Sequence, residues 1–99
     1  MKLTGGETVV KSLLREGVEV VFGIPGVHTL DIYDAFLDNP ELKHIVVRHE
    51  QGASFMADGY ARATGKVGVC VLITGPGLTN AATGIAQAFS DSSPVLVLS

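Results

Sequence analysis

Lys66-Val67-Gly68-Val69-Cys70-Val71-Leu72-Ile73-Thr74-Gly75-Pro76-Gly77-Leu78-Thr79-Asn80 is the stretch on which the fold turns. Its apolar run, Val67 to Ile73, does not alternate with polar residues, which is the pattern of a strand covered on both faces in a parallel sheet. A turn of glycine and proline follows at once. Beyond it Ala82, Ile85, Ala86 and Phe89 recur at helical spacing, with Thr79 or Asn80 available to cap the helix.

The same signature extends in both directions. Val18 to Phe22, His44 to Val47 and Val95 to Leu98 are further short runs of Val, Ile, Leu and Phe, each of strand length. Helical spacing appears at Val9, Val10, Leu13 and Leu14, at Leu30, Tyr33, Phe36 and Leu37, and at Ala53, Met56, Ala57, Tyr60 and Ala61. Gly17, Asn39-Pro40 and Gly65 are the expected stops of these three helices, and Ser92-Ser93-Pro94 separates the fourth from the last strand. Helix followed by strand, repeated along the chain, predicts an α/β fold with a parallel sheet between two layers of helix. A chain of 99 residues holds one domain at most. Val95 to Ser99 ends on a bare apolar strand, so the sequence reads as a domain cut before completion.

Composition narrows the function classes. Hydrophobic residues at 46%, charged residues at 17% and twelve dispersed glycines describe a packed globular protein, not a disordered one. A formal charge of -3 with no basic stripe argues against a nucleic-acid partner. Lys2, Glu7 and two glycines interrupt the first ten residues, which fit neither a secretory signal nor a membrane span. Cys70, alone inside an apolar run, reads as a small buried hydrophobe rather than a bridge or metal ligand, and a reducing cytoplasm is the default compartment.

The polar novelty lies where parallel strands are expected to end, at Gly23-Ile24-Pro25-Gly26, Arg48-His49-Glu50-Gln51-Gly52 and Thr74-Gly75-Pro76-Gly77. Ligands of open α/β sheets bind at those carboxyl ends. Glycines there let a backbone approach a ligand closely, although a plain turn uses them too. Gly75 and Gly77 supply two glycines of the dinucleotide pattern G-x-G-x-x-G, but Asn80 stands at the third, so that pattern fails. Glu50 closes a strand and opens a helix, beside free backbone N–H groups. It is either a helix-start acid or a working carboxylate; Ala53, Met56 and Ala57 close behind predict an apolar setting that raises its pKa. His49, beside it, reads as a structural histidine and His44 as a solvated one.

Taken together, Gly17 to Gly26, Arg48 to Ala53 with Met56-Ala57-Asp58-Gly59-Tyr60-Ala61-Arg62, Gly75 to Asn80, and Asp91-Ser92-Ser93-Pro94-Val95 resemble the acetolactate-synthase-like thiamine-diphosphate enzymes, in order and spacing, over essentially the whole chain. The resemblance implies the N-terminal part of a flavodoxin-like, pyrimidine-binding domain, with its first four strands in the order 2-1-3-4 and residues 1–99 stopping before the domain is complete. It implies thiamine diphosphate as cofactor and a 2-oxo acid as substrate, decarboxylated and in some members ligated to a second carbonyl. Glu50 then shares a proton with N1′ of the aminopyrimidine. Pro25, Gly26, Thr74, Gly75, Pro76 and Gly77 line the pyrimidine side of the cleft, Asn80 braces its loop, and His28 contacts or protonates substrate.

Magnesium and the diphosphate fall, on the same resemblance, to a domain or second subunit outside this stretch, no residue here being a metal ligand. FAD is compatible with the resemblance and indicated by no residue. The implied parent is a homodimer or tetramer, with the face of the helices near Glu50 and Thr79 at an interface. Gly26 to Tyr33 looks closer to decarboxylases of larger 2-oxo acids, including guanidino-bearing ones. The competing reading is a non-catalytic α/β scaffold or binding module, with the stretch inactive by itself.

Overall fold

A computed structural model describes residues 2–99. In chain order they form α1 (Gly5–Arg15), β1 (Val20–Gly23), a 3-10 turn (Val27–Thr29), α2 (Leu30–Leu37), β2 (Lys43–Val46), α3 (Glu50–Thr64), β3 (Gly68–Val71), α4 (Pro76–Asn80), α5 (Ala82–Ser90) and β4 (Val95–Leu98). The four strands are all parallel, as the apolar runs predict, and lie in the order β2-β1-β3-β4, as the resemblance implies.

Helices cover both faces, and the side chains of β3 divide between them. Val69 and Val71 join Val10, Leu13, Val21, Ala35 and Leu42 under α1 and α2. Cys70 and Leu72 join Phe22, Val47, Ala53, Ala57 and Ala81 under α3 and α5. Successive residues of a strand point to opposite faces, so a run apolar at every position fills both cores at once. Full coverage belongs to the inner strands alone. β2 and β4, at the sheet edges, are largely half-buried or exposed, which corrects the expectation that every apolar run is covered on both faces.

The helix stops are chemical. Thr4 opens α1 with a reciprocal pair of bonds, its hydroxyl accepting from the Glu7 N–H while Glu7 accepts from the Thr4 N–H. At its other end Gly17, with φ +82°, donates to Leu14 and Val18 donates to Leu13, closing the last turn. The Val18 N–H is spent on that cap, so β1 starts at Val20 rather than Val18. Gly65, at φ +72°, ends α3 in the same left-handed region.

α5 lies against α3 with almost no side chain between them. A Cβ placed on Gly84 would run into Oγ and Cβ of Ser54 and the backbone nitrogen of Phe55. Farther along, Arg62 Nε donates to both Asp58 oxygens at 3.0 Å and its Nη2 to Asp91 at 2.8 Å, tying α3 to the end of α5. Cys70 is 0% exposed, and burial pushes its thiol up to about 11.

His44 is not merely solvated. On β2 its Nε2 meets the Tyr33 hydroxyl at 2.7 Å, and its ring stacks on Phe36 with centroids 5.4 Å apart. Burial there holds the imidazole below its ordinary value of 6.5 and so favours the neutral ring.

Two outcomes follow from this packing. Gly84→Ala forces α5 off α3 and costs about 1–3 kcal/mol in urea unfolding, the usual range for overpacking. The stability contributed by neutral His44 is complete above the unfolded-state pKa and is lost as pH falls through it toward the lower folded value, because the unfolded chain then takes up a proton the fold resists. The thermal midpoint therefore drops on acidification from about pH 7.5 to about pH 5.5. His44→Phe, which keeps a ring in place, drops less over the same interval.

Candidate functional site

Parallel pairing brings the carboxyl ends of β1, β2 and β3 to one edge of the sheet, and the three polar segments follow there. Ile73 leaves β3 between two glycine turns. A Cβ on Gly26 would stand 2.5 Å from the Ile73 Cβ, and one on Gly77 would stand 2.5 Å from its Cγ2. One aliphatic side chain therefore spaces both turns, and neither tolerates a methyl group. Gly75 takes φ +77°, ψ −114°, a conformation for which glycine is suited, and Pro76 follows as the first residue of α4. Thr74, Gly75, Pro76 and Pro25 are exposed along this rim.

Thr29, almost fully buried, fastens the other turn. Its hydroxyl donates to the Gly26 carbonyl at 3.1 Å and lies 3.3 Å from the Gly26 N–H, from which it accepts. His28 rides on that turn, exposed, and its side chain makes no hydrogen bond among the described residues. It stands apart from the hydrogen-bonded group around Glu50.

Glu50 is the first residue of α3, and His49 caps that helix by accepting the Gln51 N–H on Nδ1 at 3.0 Å. His49 thus has the structural role expected of it. Glu50 Oε1 accepts a hydrogen bond from Asn80 Nδ2 at 3.1 Å. Its Oε2 faces Gly77, where a Cβ would lie 3.7 Å away. The N–H of Glu50 itself, then the Asn80 amide and the nearby His49, hold the carboxyl below the ordinary carboxylate value against a weaker effect of burial. The expected upward shift is therefore reversed. Ala53 and Ala57 turn into the core and Met56 outward, so none of them dries the carboxylate.

Asn80 also departs from expectation, since neither it nor Thr79 caps α5. The Thr79 hydroxyl returns to the Pro76 carbonyl at 3.1 Å, and the helix breaks at Ala81, which precedes α5 without a side-chain cap. Asn80 is left free to serve Glu50. The structure thus joins Glu50, Asn80, Gly77 and, through Ile73, Gly26.

Two residues of this arrangement carry no motif. Ser54 lies one turn after Glu50 and bonds to the Ala81 carbonyl, and Ile73 spaces the turns. Four-residue spacing from Glu50 is the one sequence signal for Ser54. A concavity lies at the opposite edge of the sheet, between Gly17, Tyr60, Gly65 and Lys66, whereas at the rim Glu50 is half-buried and Thr74, Pro76 and Asn80 are exposed. No group of three or more His, Cys, Asp or Glu able to hold a metal ion occurs among the described residues.

Residues 3–99 match the family model described as thiamine pyrophosphate enzyme, N-terminal TPP binding domain. The chain is 59% identical over 97 residues to a probable 2-ketoarginine decarboxylase of Pseudomonas aeruginosa, covering 98% of this chain and 17% of that protein. It is 62% identical over 99 residues to the acetolactate synthase large subunit of Haemophilus influenzae, covering 99% and 17%. With a probable acetolactate synthase large subunit of Methanocaldococcus jannaschii the identity is 53% over 96 residues, covering 97% and 16%. The chain thus spans 16–17% of the length of these curated relatives.

Spacing by Ile73 has a testable asymmetry. Gly77→Ala and Gly26→Ala each destabilise the chain by about 1–3 kcal/mol. Adding Ile73→Ala removes the Cγ2 that obstructs position 77 but leaves the Cβ that obstructs position 26. In denaturant titrations the second substitution should therefore offset the first at Gly77 and not at Gly26.

Proposed function

Because this chain belongs to the thiamine pyrophosphate enzymes as their N-terminal TPP-binding domain, we propose that it forms part of an enzyme acting on 2-oxo acids, with Glu50 as the carboxylate that engages the aminopyrimidine of thiamine diphosphate. The observation that carries this is the placement of the carboxylate at the sheet rim, one oxygen held by Asn80 and the other facing the bare backbone of Gly77. A flat ring laid on that side meets no side chain at position 77, so the residues present suit the pyrimidine.

When bound, the cofactor supplies an electron sink for the charge left as a 2-oxo acid loses carbon dioxide. This chain supplies position and one proton acceptor. Glu50, ionised at the rim, is placed to share a proton with N1′ of the aminopyrimidine. Covered by a bound ring, Glu50 would lose its water and its charged form would be disfavoured, which would raise its proton affinity toward the range useful for acid–base work. Pro25, Gly26, Thr74, Gly75, Pro76 and Gly77 form the wall of that pocket, and Asn80 keeps Oε1 oriented. His28, exposed on the Thr29-fastened turn, is assigned to the substrate side, where it contacts the acid or carries a proton.

Magnesium and the diphosphate are assigned to another domain or subunit, and residues 1–99 to the first part of the pyrimidine-binding domain. That division accords with relatives about six times longer than this stretch. Relatives named for a decarboxylase and for acetolactate synthases stand at similar identity, so both decarboxylation alone and decarboxylation with ligation belong to the proposed class. No helix among the described residues is long and apolar enough to cross a membrane. The free, buried Cys70 suits a reducing cytoplasm. Many of the small residues on α3 and α5 are spent inside the chain at Gly84, Ala81, Ala53 and Ala57. Ala82, Thr83 and Ala86 remain on the outer surface of α5 for contact with a second copy.

In the enzyme that carries this chain, Glu50→Gln should slow exchange of the thiamine diphosphate C2 proton by about 10²–10⁴-fold, measured by quenched-flow NMR. Unchanged exchange removes Glu50 from the mechanism and leaves the non-catalytic scaffold in its place. Small-angle scattering on the same enzyme should show a dimer or larger, and a monomer would remove the contact assigned to α5.

A further inference from the structure

Ser54 is wholly buried on α3, one helical turn beyond Glu50. Its hydroxyl has one hydrogen and two carbonyls within reach, Gln51 in its own helix at 3.0 Å and Ala81 at 2.9 Å. Ala81 is the hinge residue between α4 and α5, and its carbonyl also accepts the Ile85 N–H at 3.1 Å. Gly84, one turn into α5, presses on the same hydroxyl from the other side. The residue immediately before Ala81 is Asn80, whose amide reaches back to Glu50 Oε1.

These contacts close a ring. Glu50 and Ser54 are fixed relative to each other by one turn of α3, Ser54 fixes Ala81, and Ala81 fixes Asn80 through a single peptide unit. Asn80 is exposed at the last residue of a five-residue helix, and the bond to Glu50 is the one hydrogen bond of its side chain among the described residues. We propose that Ser54 is a positioning residue that holds Asn80 on the Glu50 carboxylate by tying the α4–α5 hinge to α3. It touches neither ligand nor reacting atom and acts through Asn80. The inference rests on Glu50 being the proton-handling group of the proposed function, but the Ser54–Ala81–Asn80–Glu50 connection exists without any cofactor.

A carboxylate loses part of its stabilisation when a hydrogen-bond donor is withdrawn, so weakening this connection raises the proton affinity of Glu50. The test is a carboxyl-carbon NMR titration of Glu50 in the 99-residue chain, cofactor-free. Ser54→Ala should move the Glu50 midpoint upward, Asn80→Ala should move it at least as far, and the double variant should go no farther than Asn80→Ala alone. Asp91→Ala removes the Arg62 tie between α3 and the far end of α5 without touching the hinge, and should leave the Glu50 midpoint where it was.

The proposal is overturned if Ser54→Ala leaves the midpoint unchanged, if the two shifts simply add, or if Asp91→Ala moves it equally. The last result would reduce Ser54 to general packing. Should Ser54→Ala not fold, Ser54→Cys, which fills the same space with a weaker donor to the Ala81 carbonyl, serves as the second variant with the same expected direction. Failure of the functional reading appears separately, as unchanged C2 proton exchange in Glu50→Gln enzyme alongside the titration result given above.

Discussion

The hydrogen-bond ladders on the two sides of β3 are the constraint from which the rest of the structure follows. β3 pairs in parallel with β1 through Val69, Cys70 and Val71 and with β4 through Gly68 to Val71, and all four of its residues are buried. Parallel pairing sends every connection back over a face of the sheet, which is why α2 lies on one side and α3 and α5 on the other, while α1, which precedes β1, packs beside α2. It also sends the ends of β1, β2 and β3 to one rim. The glycine turns, Glu50 and Asn80 are neighbours because of strand direction, although they lie as far apart in sequence as Gly26 and Asn80.

Strand direction brings the site residues near each other, and the contact of α3 with α5 sets the remaining distance. That contact has a polar end and a tight end. The Arg62–Asp91 pair leaves both side chains more than 40% exposed, and exposed pairs of this kind are worth about 0–1 kcal/mol. Direct packing of Gly84 on Ser54 fixes the helices at van der Waals separation, where one added methyl is felt in full. The tight end therefore decides the register of α5 on α3, and it is the end nearer the carboxylate. No buried side-chain polar atom among the described residues lacks a partner, so this register carries no polar penalty.

Much of the architecture was legible in the sequence, because unbroken apolar runs and glycine stops are direct consequences of two-sided burial and helix termination. The strand order is the one the resemblance implies. Boundaries were less legible: nothing in Val18 itself says that its N–H will close α1 instead of joining β1. The break at Ala81 was hidden too, since residues 76–90 read as a turn followed by one helix, and the competition between Glu50 and the helix start for the Asn80 side chain is a tertiary matter. The proton affinity of Glu50 was misjudged for the same reason. Ala53 and Ala57 are close in sequence but face the sheet, and helical geometry carries their apolar surface away from the carboxylate. His44 was misread because its partners, Tyr33 and Phe36, come from the preceding helix.

The burial of Cys70 has a use that packing did not require. Its sulfur is sealed in the sheet core between β1 and β4, and an alkylating reagent needs the thiolate, which burial at that position suppresses. Fraying of β2, the far edge strand, leaves it covered. Reagent reaches it when β4 or the layer of α3 and α5 lifts from β3, so the rate of alkylation under native conditions reports opening of that half of the sheet through a label the chain already carries.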